Sequence, residues 1–241
     1  MKFFTTEWYN DTIVAEMYSQ LRKTQKAAEF SDKFYEKLRK IENKAFLRYY
    51  KRIARFSRQK FDAVAAQKQF DSNYEENLAF IKANLPAEIL ENVKDVRVLA
   101  LGSAEYSVVA QIERFCGQMN RKCKAVESQY DEQLEKVAEI TGWEVVNSLD
   151  LLVGSPIESI TENDGSIVIT TSPELVGASY TAELVCASKV SQPESTLGAL
   201  ITKHELTTDD GGMSFGLLCL DENSEPITVE FAAQNISIRK N

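Results

Sequence analysis

The sequence contains few of the residues that enzymes and metal sites use most. Of its 241 residues, one is histidine and four are cysteine, and no two cysteines have the C-x-x-C spacing. The single glycine of "ALGSAEYS" is too few for a phosphate-binding loop. No run of about 18 apolar residues occurs, and the start "MKFFTTEWYNDT" lacks the apolar core of a signal peptide. We therefore expect a cytoplasmic protein with buried free thiols, no cofactor and no metal.

The histidine, His204, is predicted to be structural and not catalytic. It lies in "ITKHELTTDD", where the H-E-x-x-H zinc motif fails because the fifth residue is Thr208. No G-x-S-x-G nucleophile motif is present, and the alternating pattern around His204 is typical of a strand. Three acidic turns have the composition of calcium loops without their spacing, and we expect them to be solvated: "ENDG" at 162–165, "TDDGG" at 208–212 and "DENSE" at 221–225.

Charge is distributed unevenly along the chain, whose net charge is −8. Residues 1–140 hold 24 basic and 21 acidic side chains, whereas residues 141–241 hold 4 basic and 15 acidic ones. The change indicates a boundary near Gly142. We expect Trp143, which follows that glycine, to pack the two parts together into one unit.

The first part has the spacing of helices. Apolar residues recur every three or four positions from Thr6 to Ala28, and again from Ser31, an N-cap, to Gln69. "SNYE" at 72–75 has the form of a capping box that begins another helix. "DVRVLALG" at 95–102 is β-branched and predicts an isolated strand. Two further helices are expected, one capped by Ser103 and one over 122–140.

The second part has the alternation of strands. "IESITENDGSIVIT" predicts a hairpin that turns at Asn163–Gly165, and a second hairpin is expected to turn at Asp209–Gly212. Six or seven strands without helices predict an antiparallel sandwich or an open barrel. The fold class is therefore α+β, with a helical region at 1–140 and an antiparallel β region at 145–241.

Two stretches resemble a known family. "MKFFTTEWYN" at the start and "LPAEILENVKDVRVLALGSAEYSVVAQIERFC" in the middle are similar to the motifs of an uncharacterised bacterial family, domain of unknown function 4085. The resemblance covers residues 1–10 and about 85–140. It implies a fold but no biochemical activity, so it assigns no functional residue.

The most distinctive stretch is "FLRYYKRIARFSRQKF" at 46–61, which has six basic residues and no acidic one. On a helix over 48–58 the basic side chains share an arc of about 120°: Arg48, Lys51, Arg52, Arg55 and Arg58. The opposite arc carries apolar residues that we expect to be a buried stripe: Phe46, Tyr49, Tyr50, Ile53, Phe56, Phe61 and Val64. With its aromatics buried behind the cations, such a helix would not stack bases, so nucleic acid is an unlikely partner.

Three functions remain open from the sequence. The first is a non-enzymatic protein that acts through protein–protein interaction, with the basic face binding another protein or the chain's own acidic β region. The second is a hydrolase with a pocket between the helical and β regions. The third is nucleic-acid binding through the basic helix 48–58. The sequence does not predict the oligomeric state.

Overall fold

The computed structural model describes residues 1–17, 21–209 and 212–241. The helices are α1 (Thr6–Met17), α2 (Asp32–Phe56), α3 (Ala63–Asn84), α4 (Ala87–Leu90), α5 (Val96–Ala100), α6 (Tyr106–Thr141) and α7 (Trp143–Leu149). The strands are β1 (Arg22–Lys23), β2 (Ser103–Ala104), β3 (Ile157–Asn163), β4 (Ser166–Thr171), β5 (Tyr180–Val185), β6 (Ser188–Ser191), β7 (Leu200–Asp209), β8 (Gly212–Leu220), β9 (Pro226–Ala233) and β10 (Asn235–Lys240). None of the described helices is long and apolar enough to cross a membrane.

The predicted fold class, α+β, is confirmed: helices occupy the first part of the chain and antiparallel strands the last part. The chain forms two compact units. We name them the sheet unit, Met1–Ile13 with Arg121–Asn241, and the helical unit, Val14–Asn120. The predicted ranges 1–140 and 145–241 divide the chain where helices give way to strands. The two units instead group residues that lie close together in space.

Several helix boundaries differ from the prediction. The helix expected over 31–69 is two helices, because α2 ends at Phe56 and Asp62 caps α3 by accepting from the amides of Val64 and Ala65. "SNYE" therefore lies inside α3. The first helix ends at Met17, and residues 18–20 lie outside the described part of the chain.

The stretch "DVRVLALG" is a helix and not a strand. Asp95 accepts from the amide of Arg97 and so caps α5, whose Val98 and Leu99 are buried in the core of the helical unit. Burial of these apolar side chains outweighs their β propensity. Ser103 lies in β2, and α6 continues through Gly117 and Asn120, where the sequence predicted a break.

In the sheet unit, two four-stranded antiparallel sheets share one core. Their strand orders are β10-β5-β4-β3 and β6-β9-β8-β7, and among the described residues they do not close into a barrel. The predicted hairpin is β3–β4, and both of its turn residues, Asp164 and Gly165, have the positive φ of a tight hairpin turn. β7 and β8 also pair as expected, although residues 210 and 211 of their turn lie outside the described part.

Helices of the sheet unit complete this core. Val137 and Ala138 of α6 pack with Val146 and Leu149 of α7 against the strands. Trp143 does not have the packing role that we expected, because 54% of its surface is exposed. Val146 and Leu149, which follow Trp143 in α7, pack against the strands instead.

A row of three residues crosses neighbouring strands and receives the start of the chain. Glu205 on β7 pairs with Gly216 on β8, which pairs with Glu230 on β9. A Cβ atom at Gly216 would lie 2.5 Å from Cγ of Met1, so the missing side chain is what admits Met1. The amino group of Met1 donates to Glu230 at 2.7 Å.

Glu205 makes the central contacts of this row. Its carboxylate, 3% exposed, accepts from three successive amides, those of Lys2 at 2.7 Å, Phe3 at 2.8 Å and Phe4 at 3.1 Å. The contacts hold Phe3 and Phe4 in a buried cluster with Trp8, Cys123, Tyr130 and Leu218. Strand β8 is consequently buried on both faces, which explains its nearly continuous apolar sequence.

We predict that Glu205→Ala lowers the free energy of unfolding by about 3 kcal/mol, because two buried amides and one part-buried amide lose a charged acceptor. Glu205→Gln, which keeps an acceptor oxygen, should cost less. Urea denaturation followed by tryptophan fluorescence measures both. The exposed Glu222→Ala is the matched control, and a Glu205→Ala protein as stable as that control would contradict the assignment.

Candidate functional site

The predicted basic face lies at the end of a helical hairpin, which we call the hairpin tip: residues 44–65, from the last turns of α2 to the first turn of α3. No residue of this segment is buried. The last buried residue of α2 is Leu38, and the first of α3 is Ala66. The tip is therefore stabilised by the helices on either side of it and contributes little to the core of the helical unit.

The tip turns through a Schellman motif. The amide of Gln59 donates to the carbonyl of Ala54 at 2.8 Å, and that of Arg58 donates to Arg55 at 3.3 Å. Arg58, with φ 56°, occupies the left-handed position that glycine favours. The prediction that Arg58 continues the helix is therefore wrong: α2 ends at Phe56, and Arg58 lies in the turn.

The tip carries seven basic side chains and one acidic side chain, Asp62, which caps α3. Arg48, Lys51, Arg52 and Arg55 are exposed on α2 as predicted, and Arg58 is exposed in the turn. Within the described residues, no carboxylate lies within 4.0 Å of these five cations. Lys44 and Lys60, which the prediction left out, add to the same surface.

The predicted buried stripe is wrong at the tip. Exposed fractions are 82% for Phe56, 68% for Val64, 52% for Tyr49 and 42% for Ile53. Phe46, Tyr50 and Phe61 are only half-buried. The pattern does have helical periodicity, but among the described elements α3 is the one that packs along this part of α2, and one helix does not cover so broad an apolar face. The tip thus exposes cations and large apolar side chains together.

Two shallow grooves flank the tip, each with a volume of about 360 Å³. The first is mainly apolar and is lined by Tyr50, Ile53, Ala54, Phe61 and Ala65, among others. The second has a basic rim formed by Lys40, Lys44, Arg48 and Lys51, with Leu47 and Phe61 in its wall. Each groove has room for one large side chain of a partner.

A second candidate is a cleft of about 720 Å³ in the sheet unit, between α6 and β7. It is lined by Phe4, Glu127, Tyr130, Asp131, Asp150 and His204, among others. Among the described residues, no three histidine, cysteine or acidic side chains are grouped so as to hold a metal ion.

Hydrogen bonds occupy both nitrogens of the buried His204 ring. Nε2 lies 2.9 Å from Oδ1 of Asp150, and Nδ1 lies 3.5 Å from the hydroxyl oxygen of Tyr130. That hydroxyl also accepts from the amide of Leu206 at 3.0 Å. Burial lowers the pKa of His204, although the hydrogen bond to Asp150 raises it in part. Burial raises the pKa of the Tyr130 hydroxyl, because it disfavours the charged form.

This arrangement is poorly suited to acid–base catalysis. The group next to Nδ1 of His204 is the Tyr130 phenol, whose pKa is raised by burial, and not the serine, threonine or cysteine that a histidine base activates. Thr202, the aliphatic hydroxyl of the cleft, donates to the carbonyl of Leu218 at 2.9 Å and is not activated by a base. The geometry assigns His204 a structural role, connecting α6, β7 and the segment after α7.

No family model, curated protein or solved structure matches the chain. The resemblance to domain of unknown function 4085 accordingly stays a prediction.

We predict that Arg58→Gly stabilises the protein by about 1 kcal/mol, because a left-handed backbone costs an arginine about that much and a glycine little. Thermal unfolding measures the change. The control is Arg55→Gly inside α2, which should destabilise by about 1 kcal/mol. An Arg58→Gly protein less stable than the wild type would contradict the strained turn.

The lowered pKa of His204 predicts a pH dependence of stability. Below pH 6.5 the unfolded chain binds a proton at this residue that the folded protein does not bind, so stability falls as the pH decreases. We expect His204→Gln to cost stability at pH 7.5 and less at pH 5.5, with a difference of at most about 1.4 kcal/mol for the one pH unit below 6.5. Unfolding free energies of both proteins at the two pH values provide the test. Carboxylates whose pKa is lowered, such as Glu230, titrate below the pH range from 5.5 to 7.5. Parallel pH profiles would contradict the assignment.

Proposed function

We propose that the protein is a non-enzymatic binding protein and that the hairpin tip is its protein-docking surface. One observation supports this most strongly: the tip exposes four large apolar or aromatic side chains together with seven cations. The four are Tyr49, Ile53, Phe56 and Val64, of which Phe56 is the most exposed. Large apolar side chains grouped on a polar surface mark interaction sites. Aromatic residues and arginine are also the types enriched at the energetic centres of protein interfaces.

The strained backbone of Arg58 supports the same surface. Glycine would be more stable at this position, so the arginine is present at a cost in stability. A need for its charge in binding explains that cost. We place the protein in the cytoplasm, because all four of its cysteines are free thiols, although Cys186 is exposed and not buried as expected.

Nucleic acid is the rival ligand, and one contact favours it. Arg52 lies over the ring of Tyr49 at 5.8 Å, and both are exposed, as base stacking requires. The sequence predicted that the aromatics of this helix are buried and so cannot stack on bases, and that prediction is therefore wrong for Tyr49 and Phe56. Protein remains the better-supported partner because Ile53 and Val64 offer nothing to phosphates or bases, whereas they bury apolar surface against a protein.

The hydrolase alternative has a cleft that contains the carboxylates of Glu127, Asp131 and Asp150 with Lys203 and His204, but no serine or cysteine among its lining residues. The cleft between α6 and β7 is a pocket of the expected kind, between helix and sheet. Its histidine is held at both nitrogens, and Thr202 donates to a backbone carbonyl.

The test is capture of partners from an extract of the source cells, measured by quantitative mass spectrometry. We expect a protein to bind the wild type and to be lost, at least tenfold, from the variant Ile53→Ser/Phe56→Ser/Val64→Ser, which keeps every charge. The matched control is Val190→Ser/Leu197→Ser, which removes exposed apolar residues from the sheet unit and should retain the partner.

Two results would contradict the proposal. One is a set of captured proteins that the tip variant leaves unchanged. The other is capture that nuclease treatment abolishes, together with binding of duplex or single-stranded probes that persists at about 200 mM salt and is lost in Arg52→Glu/Arg55→Glu. That second result would assign the tip to nucleic acid.

A further inference from the structure

The sheet unit has an exposed surface whose chemistry is complementary to the hairpin tip. We call it the helix corner: Glu132, Glu135, Glu139, Ile140, Trp143 and Glu144, at the junction of α6 and α7. Glu132, Glu135 and Glu139 are exposed and fall within an arc of about 60° on α6. Ile140 is 69% exposed and Trp143 is 54% exposed. Four exposed carboxylates and two exposed large apolar side chains thus lie within thirteen consecutive residues, 132–144.

The corner carboxylates form no ion pair with a described residue, although Lys136 is exposed among them on α6. Within the described ranges, none of the four lies within 4.0 Å of a basic nitrogen. The tip shows the same pattern with the opposite sign, exposed apolar side chains surrounded by cations. Opposite charge around two apolar centres is the complementarity that steers and orients protein–protein association.

The imbalance extends over whole units. The sheet unit holds 9 basic and 22 acidic residues, and the helical unit holds 19 basic and 14 acidic ones. Two copies of the chain therefore attract each other when the helical unit of one approaches the sheet unit of the other. At physiological salt such attraction extends about 8 Å, which is enough to align two surfaces before they touch.

We propose that the partner of the hairpin tip is the helix corner of a second copy of this chain. Trp143 or Ile140 of one copy occupies the apolar groove beside Ile53 and Phe61 of the other, and the corner carboxylates pair with Arg48, Lys51, Arg52 and Arg55. This inference rests on the proposed function, because it names the protein that the tip binds. The two surfaces differ, so the contact is head-to-tail and each copy carries one of each surface.

The test is a charge exchange between copies, with mass measured by sedimentation from about 1 to about 100 μM. The tip-reversed variant is Arg48→Glu/Arg52→Glu/Arg55→Glu, and the corner-reversed variant is Glu135→Lys/Glu139→Lys/Glu144→Lys. We expect the wild type to associate as concentration rises and to dissociate at high salt. Each reversed variant alone should bind itself at least tenfold more weakly.

An equimolar mixture of the two reversed variants should recover association, because the acidic tip of one now faces the basic corner of the other. Phe56→Ser and Trp143→Ser, which leave the charge unchanged, should also weaken self-association at least tenfold. The control Glu158→Lys/Glu174→Lys/Glu222→Lys changes as much charge at exposed sites away from the corner and should associate like the wild type.

A wild-type mass that stays that of one chain throughout the range would overturn the inference, and so would a mixture of reversed variants that does not associate. Neither result affects the proposed function if the tip variant still loses a different protein in the capture experiment. Loss of both would remove the tip as a docking surface.

Discussion

The carboxylate of Glu205 connects the first four residues to a strand some two hundred positions later, and the packing around β8 depends on that connection. Three amides in succession would be buried without an acceptor if this side chain were absent. Gly216 next to it provides the space for Met1, and Glu230 on the third strand receives the amino group. The start of the chain is therefore an integral part of the sheet unit, where it covers a strand face that solvent would otherwise reach.

The first residues of the chain also line the cleft that contains His204. Phe4 packs edge to face on Tyr130 at 4.7 Å, and Tyr130 receives the amide of Leu206 and contacts His204. Phe4, in the segment that Glu205 holds, lines the same cleft as the buried histidine. Its lowered pKa and its two hydrogen bonds fit a side chain that joins elements, and the cleft contains no activated nucleophile.

The hairpin tip has the opposite character. It has no buried residue, and its turn holds an arginine in a backbone conformation suited to glycine. The requirements of folding do not account for these features, whereas the proposed docking role does. The helix corner of the sheet unit shows the same mixture of exposed apolar and charged side chains with negative charge. Self-association would neutralise both surfaces at once.

Local patterns in the sequence predicted the parts of the fold that local physics controls. The Asn-Asp-Gly turn, the hairpin pairing of β7 with β8, and the N-cap at Ser31 all follow from a few adjacent residues. The prediction was wrong where a distant contact decides the outcome. Val96–Ala100 is helical because the core of the helical unit buries it, and Phe56 is exposed because, in the part of the chain that the structure describes, no element beyond α3 covers it. Neither fact is encoded in the spacing of neighbouring residues.

The basic residues of the candidate site were predicted from charge alone, and their exposure on α2 is confirmed except that Arg58 lies in the turn. The helix corner was missed, although an acidic α6 face next to Ile140 and Trp143 is visible in the sequence. Its significance depends on which face of α6 the sheets cover, and Val137 and Ala138 show that only in three dimensions. The role of Glu205 had no signal in the sequence, because its partners are backbone amides.

Isotope-resolved cross-linking tests the central claim, contact between the tip of one copy and the corner of another, most directly. Equal amounts of ¹⁴N and ¹⁵N protein are mixed and treated with a carbodiimide, which joins a lysine amine to a carboxylate in contact without adding atoms. The account predicts links from Lys51 or Lys60 to Glu139 or Glu144 that join a ¹⁴N peptide to a ¹⁵N peptide. Links between these residues found only within one isotopic form, or no such links, would contradict it.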